Sequence, residues 1–159
     1  MSLAAPPGSR GIDQILAEAR QKLVRLDPEP AHLAARRGAV LVDTRPVGQR
    51  EATGTIPGAL IIDRNVLEWR LDPRSDARLP VADSYDIHYI LFCQQGYASS
   101  LAAATLQDIG LHRATDLAGG FVAWRAAGLP VLKPAGPHRG DRHLVSAHPV
   151  AHVAPREDP

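Results

Sequence analysis

The chain has 159 residues, of which 45% are apolar and 22% charged, and its formal net charge is +1. This profile predicts one soluble globular domain, and the balanced charge gives no reason to expect nucleic acid or an anionic membrane as a partner. No apolar run approaches the roughly 20 residues that span a bilayer, and the first residues lack the pattern of an export signal, so we expect a cytoplasmic protein.

Two helices are predicted near the start of the chain. Residues 1–11 are rich in Ala, Pro, Gly and Ser, and we expect them to be disordered. Apolar residues then recur at helical spacing over 12–23. The Asp-Pro-Glu-Pro sequence at 27–30 interrupts the pattern, and a second short helix is expected over 31–37.

Short apolar runs further along the chain predict buried strands. In chain order they are 39–43, 60–63, 87–92 and 114–117. Helical segments are expected between or after them, at 66–71, 101–109 and 121–127. Strands that alternate with helices predict an α/β fold with a parallel sheet and helices on both faces.

The last segment of the chain is polar and lacks apolar periodicity. We expect an ordered domain over 12–133 and a disordered, His- and Pro-rich tail over 134–159. The tail contains His138, His143, His148 and His152. Their spacing does not place them on one helical face, and no second cysteine is available for a zinc site, so we expect no metal site there.

Cysteine occurs once, at position 93, which rules out an internal disulfide and suits a reducing compartment. A lone cysteine is most often a small buried hydrophobe. Cys93, however, directly follows a predicted strand, at the edge where parallel sheets bind ligands. Gly96 can take backbone angles closed to other residues, so nearby N–H groups can turn inward and, with the next helix, attract an anion. Such a thiol loses its proton more easily, which predicts nucleophilic sulfur chemistry.

Four motifs in order give the chain a family resemblance. They are LVDTR at 41–45, GTIPGA at 54–59, FCQQGYAS at 92–99, and LAGGFVAW at 117–124 followed by GLPV at 128–131. Together they resemble the motifs of single-domain rhodaneses, the thiosulfate sulfurtransferases. A single motif of this kind would be weak evidence, but the ordered set is specific.

The resemblance implies a rhodanese-like five-stranded parallel sheet flanked by helices on both faces. It also implies ping-pong chemistry, in which a small donor such as thiosulfate gives its outer sulfur to Cys93 and a thiol or cyanide acceptor removes it. No cofactor is implied, and a partner protein stays open. Because no second cysteine exists, an external nucleophile must resolve the persulfide. The loop expected to hold the persulfide comprises Gln94, Gln95, Gly96, Tyr97, Ala98 and Ser99.

Two positions depart from the family pattern. Ala98 stands where the loop often has arginine, which predicts weaker attraction for thiosulfate and favours a persulfide or protein donor. Thr55 replaces the usual histidine, which we interpret as a change in packing or in hydrogen bonding. Tyr97 either shapes the pocket wall or shields the loop, and Ser99 with Ser100 is expected to cap a helix.

Two arginines after the first strand are candidates for substrate binding. Arg45 and Arg50 follow the same sheet edge as Cys93, and either can bind a sulfonate oxygen or stabilise the thiolate. The alternative for each is an ion pair with Asp43, Glu51 or Asp63.

Two other function classes stay open. A phosphatase or arsenate reductase would need an arginine in the cysteine loop to grip the oxyanion, and none lies between Cys93 and Arg113. A non-enzymatic rhodanese-like binding module is the other alternative, because Ala98 removes a family charge.

Overall fold

A computed structural model describes residues 3–134 as a parallel sheet with helices on both faces. The helices are α1 (Ile12–Gln21), α2 (Pro28–Arg36), α3 (Val47–Thr53), α4 (Leu67–Leu71), α5 (Ala98–Ile109) and α6 (Gly120–Ala126), with a 3-10 turn at Arg64–Val66 before α4. The strands are β1 (Val40–Asp43), β2 (Leu60–Ile61), β3 (Tyr89–Phe92) and β4 (Thr115–Asp116). Their order is β2-β1-β3-β4, and every pair is parallel. The predicted α/β class is confirmed.

The core has two layers, which β3 separates. Successive side chains of a strand point to opposite faces, so Tyr89 and Leu91 pack with α4 and α5, while Ile90 and Phe92 pack with α2 and α6. All four are fully buried, as expected of a central parallel strand. Burial of each large side chain contributes about 1.5–3 kcal/mol, so β3 is firmly fixed and so is the residue after it, Cys93.

The strand count differs from the five that the family resemblance implies. The described residues contain four strands, and the fifth position is occupied by Leu26, which forms a single parallel bridge with Leu117 beside β4. The N–H of Leu26 donates to the carbonyl of Asp116 at 3.1 Å, and its carbonyl accepts from Ala118 at 2.8 Å. The pairing stops there because α2 begins at Pro28, whose ring removes a backbone donor.

One helix was absent from the sequence analysis. Helix α3 (Val47–Thr53) has no buried residue, so it shows no apolar periodicity by which to recognise it. Its start follows Pro46, whose fixed φ suits the first turn of a helix. Helix α5 also begins earlier than predicted, at Ala98, which places the end of the cysteine loop in its first turn.

Few of the predictions for the two ends of the chain fall on described residues. Residues 3–11 contain a turn but neither helix nor strand. The predicted disordered tail lies outside the described residues except for Pro134, and so do its four histidines. Within residues 3–134, no helix combines the length and apolar character that crossing a bilayer requires. In the same range no three metal-ligating side chains come together.

Candidate active site

The carboxyl ends of β1, β2 and β3 surround a cavity of about 650 Å³. One segment after each strand lines it: residues 44–49 after β1, 63–65 after β2 and 93–98 after β3. Cys93 is partly exposed and lines this cavity. A second cavity, of about 680 Å³, lies at the opposite edge of the sheet, but neither cysteine nor serine lines it. Of these two cavities, the one lined by Cys93 contains a nucleophilic side chain, and it is the candidate active site.

Two polar groups contact the sulfur of Cys93. The backbone N–H of Gly96 donates to Sγ at 3.2 Å, and the Cys93 thiol donates to the hydroxyl oxygen of Ser99 at 3.3 Å. Ser99 is fully buried, and its hydroxyl donates a hydrogen bond to a carboxylate oxygen of Asp116 at 2.8 Å. The sulfur thus meets both a donor and a hydroxyl that can reorient, while its open side faces the cavity.

The start of α6 holds the loop backbone from behind. The N–H of Phe121 donates to the carbonyl of Cys93 at 2.9 Å, and that of Val122 to the carbonyl of Gln94 at 3.1 Å. The approach needs glycine, because a Cβ at Gly120 would lie 2.5 Å from the Cys93 oxygen. Gly96 has a φ of +86°, and a Cβ there would lie 2.8 Å from a backbone nitrogen. The glycines of both motifs therefore allow the loop and α6 to touch.

A buried carboxylate forms the second support of the loop. Asp116 is fully buried and accepts from the hydroxyls of Ser99 and Ser100, the latter at 2.7 Å. Arg25 neutralises it, with Nε 2.8 Å from Oδ1. The prediction that the two serines cap a helix is wrong: α5 starts after Tyr97 without a side-chain cap, because both hydroxyls turn inward to Asp116.

The remaining loop residues lie along the cavity. Gln94, Gln95, Tyr97 and Ala98 all line it. The amide oxygen of Gln94 accepts from Nη1 of Arg45 at 3.0 Å, which fixes its orientation. Tyr97 lines the cavity and is 60% exposed, so it forms part of the cavity's outer wall.

Arg45 is a buried structural cation. It forms an ion pair with Asp43, with Nη2 2.7 Å from Oδ2, and both side chains are almost completely buried. All five of its N–H donors have acceptors, among them the hydroxyl of Thr53 and the carbonyl of Gly54. Of the interpretations left open, the ion pair with Asp43 is the one found.

Arg64, and not the predicted Arg50, lines the Cys93 cavity. Arg50 does not line the Cys93 cavity; its guanidinium donates to the carbonyl of Arg45 and borders a neighbouring cavity. Arg64, just after β2, does line the Cys93 cavity and forms an ion pair with Glu68. Arg64 was not among the residues predicted from the sequence, although it lies just beyond a predicted buried strand, as Cys93 does.

Comparison with known proteins identifies the family. The model of the rhodanese-like domain matches residues 28–127. The chain belongs to this family. A sulfurtransferase of Allochromatium vinosum is 32% identical over 104 residues, covering 65% of this chain and 88% of that protein. The thiosulfate sulfurtransferase GlpE of Stutzerimonas stutzeri is 34% identical over 101 residues, covering 64% and 84%.

A solved structure is also similar over most of its length. It is a Rhodopseudomonas palustris protein of unknown function, described as a possible tyrosine phosphatase, with 35% identity and a TM-score of 0.72, covering 81% of this chain and 99% of that one. The rhodanese-like region begins at residue 28, after α1 and the segment that carries Arg25. Arg25 and α1 therefore lie outside the residues that the rhodanese-like domain model matches.

Proposed function

We propose that this rhodanese-like chain is a sulfurtransferase, which takes a sulfane sulfur onto Cys93 as a persulfide and passes it to a thiol or cyanide acceptor. The observation that carries the proposal is the contact between the Gly96 N–H and the Cys93 sulfur, on a cysteine that still lines an open cavity. An amide aimed at the sulfur stabilises negative charge there. The names of the two relatives, a sulfurtransferase and a thiosulfate sulfurtransferase, support the same chemistry.

The transfer balances without any cofactor. The Cys93 thiolate attacks the outer sulfur of thiosulfate, a new sulfur–sulfur bond forms, and the bond to the sulfonate sulfur breaks. Sulfite leaves with the electron pair, and the cysteine persulfide keeps one negative charge. Cyanide or an external thiolate then attacks the outer sulfur, and the Cys93 thiolate is regenerated.

The Ser99 hydroxyl is proposed to rotate when the sulfur of Cys93 becomes negatively charged. In the resting thiol its proton points to Asp116 and its oxygen accepts from Cys93. When the sulfur becomes anionic, the hydroxyl turns its proton from the carboxylate to the sulfur. This rotation leaves Asp116 satisfied, because Ser100 and Arg25 still donate to it. A reoriented hydroxyl then adds a second donor to the anion.

Donor binding is proposed to involve Arg64. Thiosulfate carries two negative charges, and Ala98 supplies none of the attraction that a loop arginine would. Arg45 has all its donors engaged, and Arg50 lies outside the cavity. Arg64 also lines the cavity, and its partly exposed guanidinium can bind both Glu68 and an oxygen of the sulfur donor.

The decisive test is the intact mass of the full chain after incubation with thiosulfate or with a small persulfide. We expect a gain of one sulfur atom on the wild type, no gain on Cys93→Ser, and loss of the added sulfur on addition of cyanide, with thiocyanate as the product. Absence of any gain with every sulfane donor would contradict the proposal. Loading without release to any acceptor would favour the non-enzymatic binding module.

A second candidate, cysteine-dependent hydrolysis of phosphate esters, is favoured by the description of the Rhodopseudomonas palustris relative. In that chemistry an arginine of the cysteine loop grips the three phosphoryl oxygens, and residues 93–100 contain none. We expect no Cys93-dependent release of nitrophenol from nitrophenyl phosphate. Hydrolysis that disappears in Cys93→Ser would establish this candidate instead.

The setting of the reaction follows from the cysteine usage. A single thiol needs a reducing environment to stay reactive, so we propose the cytoplasm as its location. The acceptor must come from outside the chain, either as a small thiol or cyanide or as a cysteine on a partner protein.

A further inference from the structure

Three carbonyl groups of the cysteine loop have hydrogen-bond donors behind them. Helix α6 supplies the donors for Cys93 and Gln94. The third carbonyl, that of Gly96, accepts from Nη2 of Arg20 at 2.8 Å and from Nη2 of Arg25 at 3.2 Å. The first two supports lie within the family region, but both arginines precede residue 28.

The orientation of Gly96 decides whether its amide reaches the sulfur. Its N–H and its carbonyl belong to the two peptide groups that flank one Cα, and the φ of +86° sends them in different directions. The carbonyl carries a partial negative charge, which would repel an anionic sulfur if it turned toward the cavity. Two guanidinium groups bind this carbonyl in the same loop conformation in which the Gly96 N–H donates to Cys93 Sγ.

The same arginines reach the other contact of the sulfur, through Asp116. Arg25 binds both carboxylate oxygens of Asp116, at 2.8 and 3.2 Å. Arg20 donates through Nε to the hydroxyl of Ser100 at 3.1 Å, and Ser100 donates to the same carboxylate. Asp116 in turn accepts a hydrogen bond from the Ser99 hydroxyl. Both groups that touch the sulfur thus depend on these two cations.

The backbone around Arg25 is anchored to the sheet edge. The carbonyl of Val24 accepts from the hydroxyl of Thr115 at 2.7 Å, and Leu26 pairs with Leu117, the residue that follows β4. Arg20 is held by α1, which packs along α5. The arginines are therefore presented by a fixed framework, as precise positioning requires.

From this network we infer that Arg20 and Arg25 are positioning residues of the sulfur transfer. They hold Gly96 and, through Asp116, Ser99 in the geometry that stabilises charge on Cys93, and they supply from behind the loop the positive charge that Ala98 does not supply within it. The inference rests on the proposed function. Neither side chain lines the cavity, so both act through the loop and not on the donor.

The test compares Arg20→Ala, Arg25→Ala and Arg25→Lys with the control Lys22→Ala. Lys22 is an exposed cation of the same segment, whose ammonium lies 3.9 Å from Asp108. Two quantities are measured: the rate of persulfide formation against donor concentration, and the hydrogen-exchange rate of the Gly96 amide in labelled protein. The second needs no sulfur chemistry, so it separates failure of this inference from failure of the proposed function.

We expect Arg25→Ala to lower the maximal loading rate about tenfold, the loss typical of one charge-assisted hydrogen bond, with little change in the donor concentration at half-saturation. Arg20→Ala should also lower the maximal loading rate. Because this variant keeps the Arg25–Asp116 pair, it still tests the inference if Arg25→Ala fails to fold. Arg25→Lys should restore the melting temperature but only part of the rate, because an ammonium cannot serve both the carboxylate and the Gly96 carbonyl in forked geometry. Gly96 exchange should accelerate in the Ala variants.

Three results would overturn the inference: wild-type loading and exchange rates in folded Arg20→Ala and Arg25→Ala, an equal slowing in Lys22→Ala, or a rise in half-saturating donor concentration with the maximal rate unchanged. The last would make the arginines donor-binding residues. If the wild type takes up no sulfur, the proposed function fails, and the Gly96 exchange rates alone decide whether the arginines hold the loop.

Discussion

At the scale of single residues, the site depends on backbone contacts that only glycine permits. The loop after Cys93 and the start of α6 lie so close that Gly120 faces the Cys93 carbonyl directly. Gly120 also has a φ of +62°, so a side chain there meets both backbone strain and a collision. The contact leaves the Phe121 N–H free to hold the loop, which links a packing requirement to the orientation of the nucleophile.

Replacement of Gly120 by alanine should therefore cost more than replacement of another glycine with positive φ. Gly128→Ala is the matched control, because Gly128 has a φ of +71° and open space where its Cβ would lie. We expect Gly128→Ala to lower the free energy of unfolding by about 1 kcal/mol and Gly120→Ala by about 1–3 kcal/mol more. Urea unfolding measures both, and equal losses would contradict the close packing of loop and helix.

At the scale of secondary-structure elements, the cavity is built by three consecutive strand ends. Parallel strands bring these ends to one edge, so β1, β2 and β3 each contribute a segment to the wall. The contribution of β2 is the 3-10 turn that starts at Arg64 and leads into α4. The ion pair with Glu68 one turn later holds this guanidinium near the cavity.

Arg64→Ala tests the role of that turn in donor binding. We expect the KM for thiosulfate to rise about fivefold, the effect of losing a partly exposed charge pair, while the maximal rate stays close to that of the wild type. Arg70→Ala is the control, because Arg70 lies on α4 but binds the carbonyl of Ala77 away from the cavity. An unchanged KM, or an equal rise in both variants, would assign donor binding elsewhere.

At the scale of the whole molecule, the two edges of the sheet have different characters. The carboxyl edge carries Cys93, whereas the amino edge carries His88, the residue before β3. Burial disfavours a charged ring there, and Arg113 adds a like charge, so the pKa of His88 is lowered from its ordinary value of 6.5. The folded chain thus binds this proton less readily than the unfolded chain does.

His88 should make the fold less stable in mild acid. The contribution of His88 to the free energy of unfolding is complete above pH 6.5. It is lost as the pH drops from 6.5 toward the lower pKa of the folded state, because the unfolded chain takes up the proton first. One such group contributes a slope of at most about 1.4 kcal/mol per pH unit. The unfolding free energy of His88→Gln, measured across this range, should fall less steeply than that of the wild type. Parallel curves would mean that His88 titrates alike in both states.

The features that depend on neighbouring residues in the chain could be predicted from the sequence. The apolar run before Cys93 became β3, and its continuous burial fixed the position of the nucleophile at the sheet edge. Gly96 adopts the positive φ that its place in the loop suggested. The ion pair of Arg45 was also foreseeable as one alternative, because Asp43 is two residues away.

Long-range polar contacts were beyond the reach of such patterns. Arg25 and Asp116 are 91 residues apart in the chain, and no periodicity relates them. Ser99 and Ser100 were predicted to cap a helix from their position in the sequence. Their hydroxyls instead donate to Asp116, which lies on β4. Helix α3 was missed for a different reason, since a helix that buries no side chain needs no apolar stripe.

The placement of Arg20 and Arg25 ahead of residue 28 has a practical consequence for anyone who works with excised domains. A fragment cut to the limits of the family region would keep the nucleophile and every residue of its loop. It would nevertheless leave Asp116 as an interior charge without its counter-ion, and it would remove both arginine donors of the Gly96 carbonyl, leaving only the long contact from the Ser100 hydroxyl at 3.4 Å. Sluggish sulfur uptake by such a fragment would report the missing framework and not the competence of the intact chain.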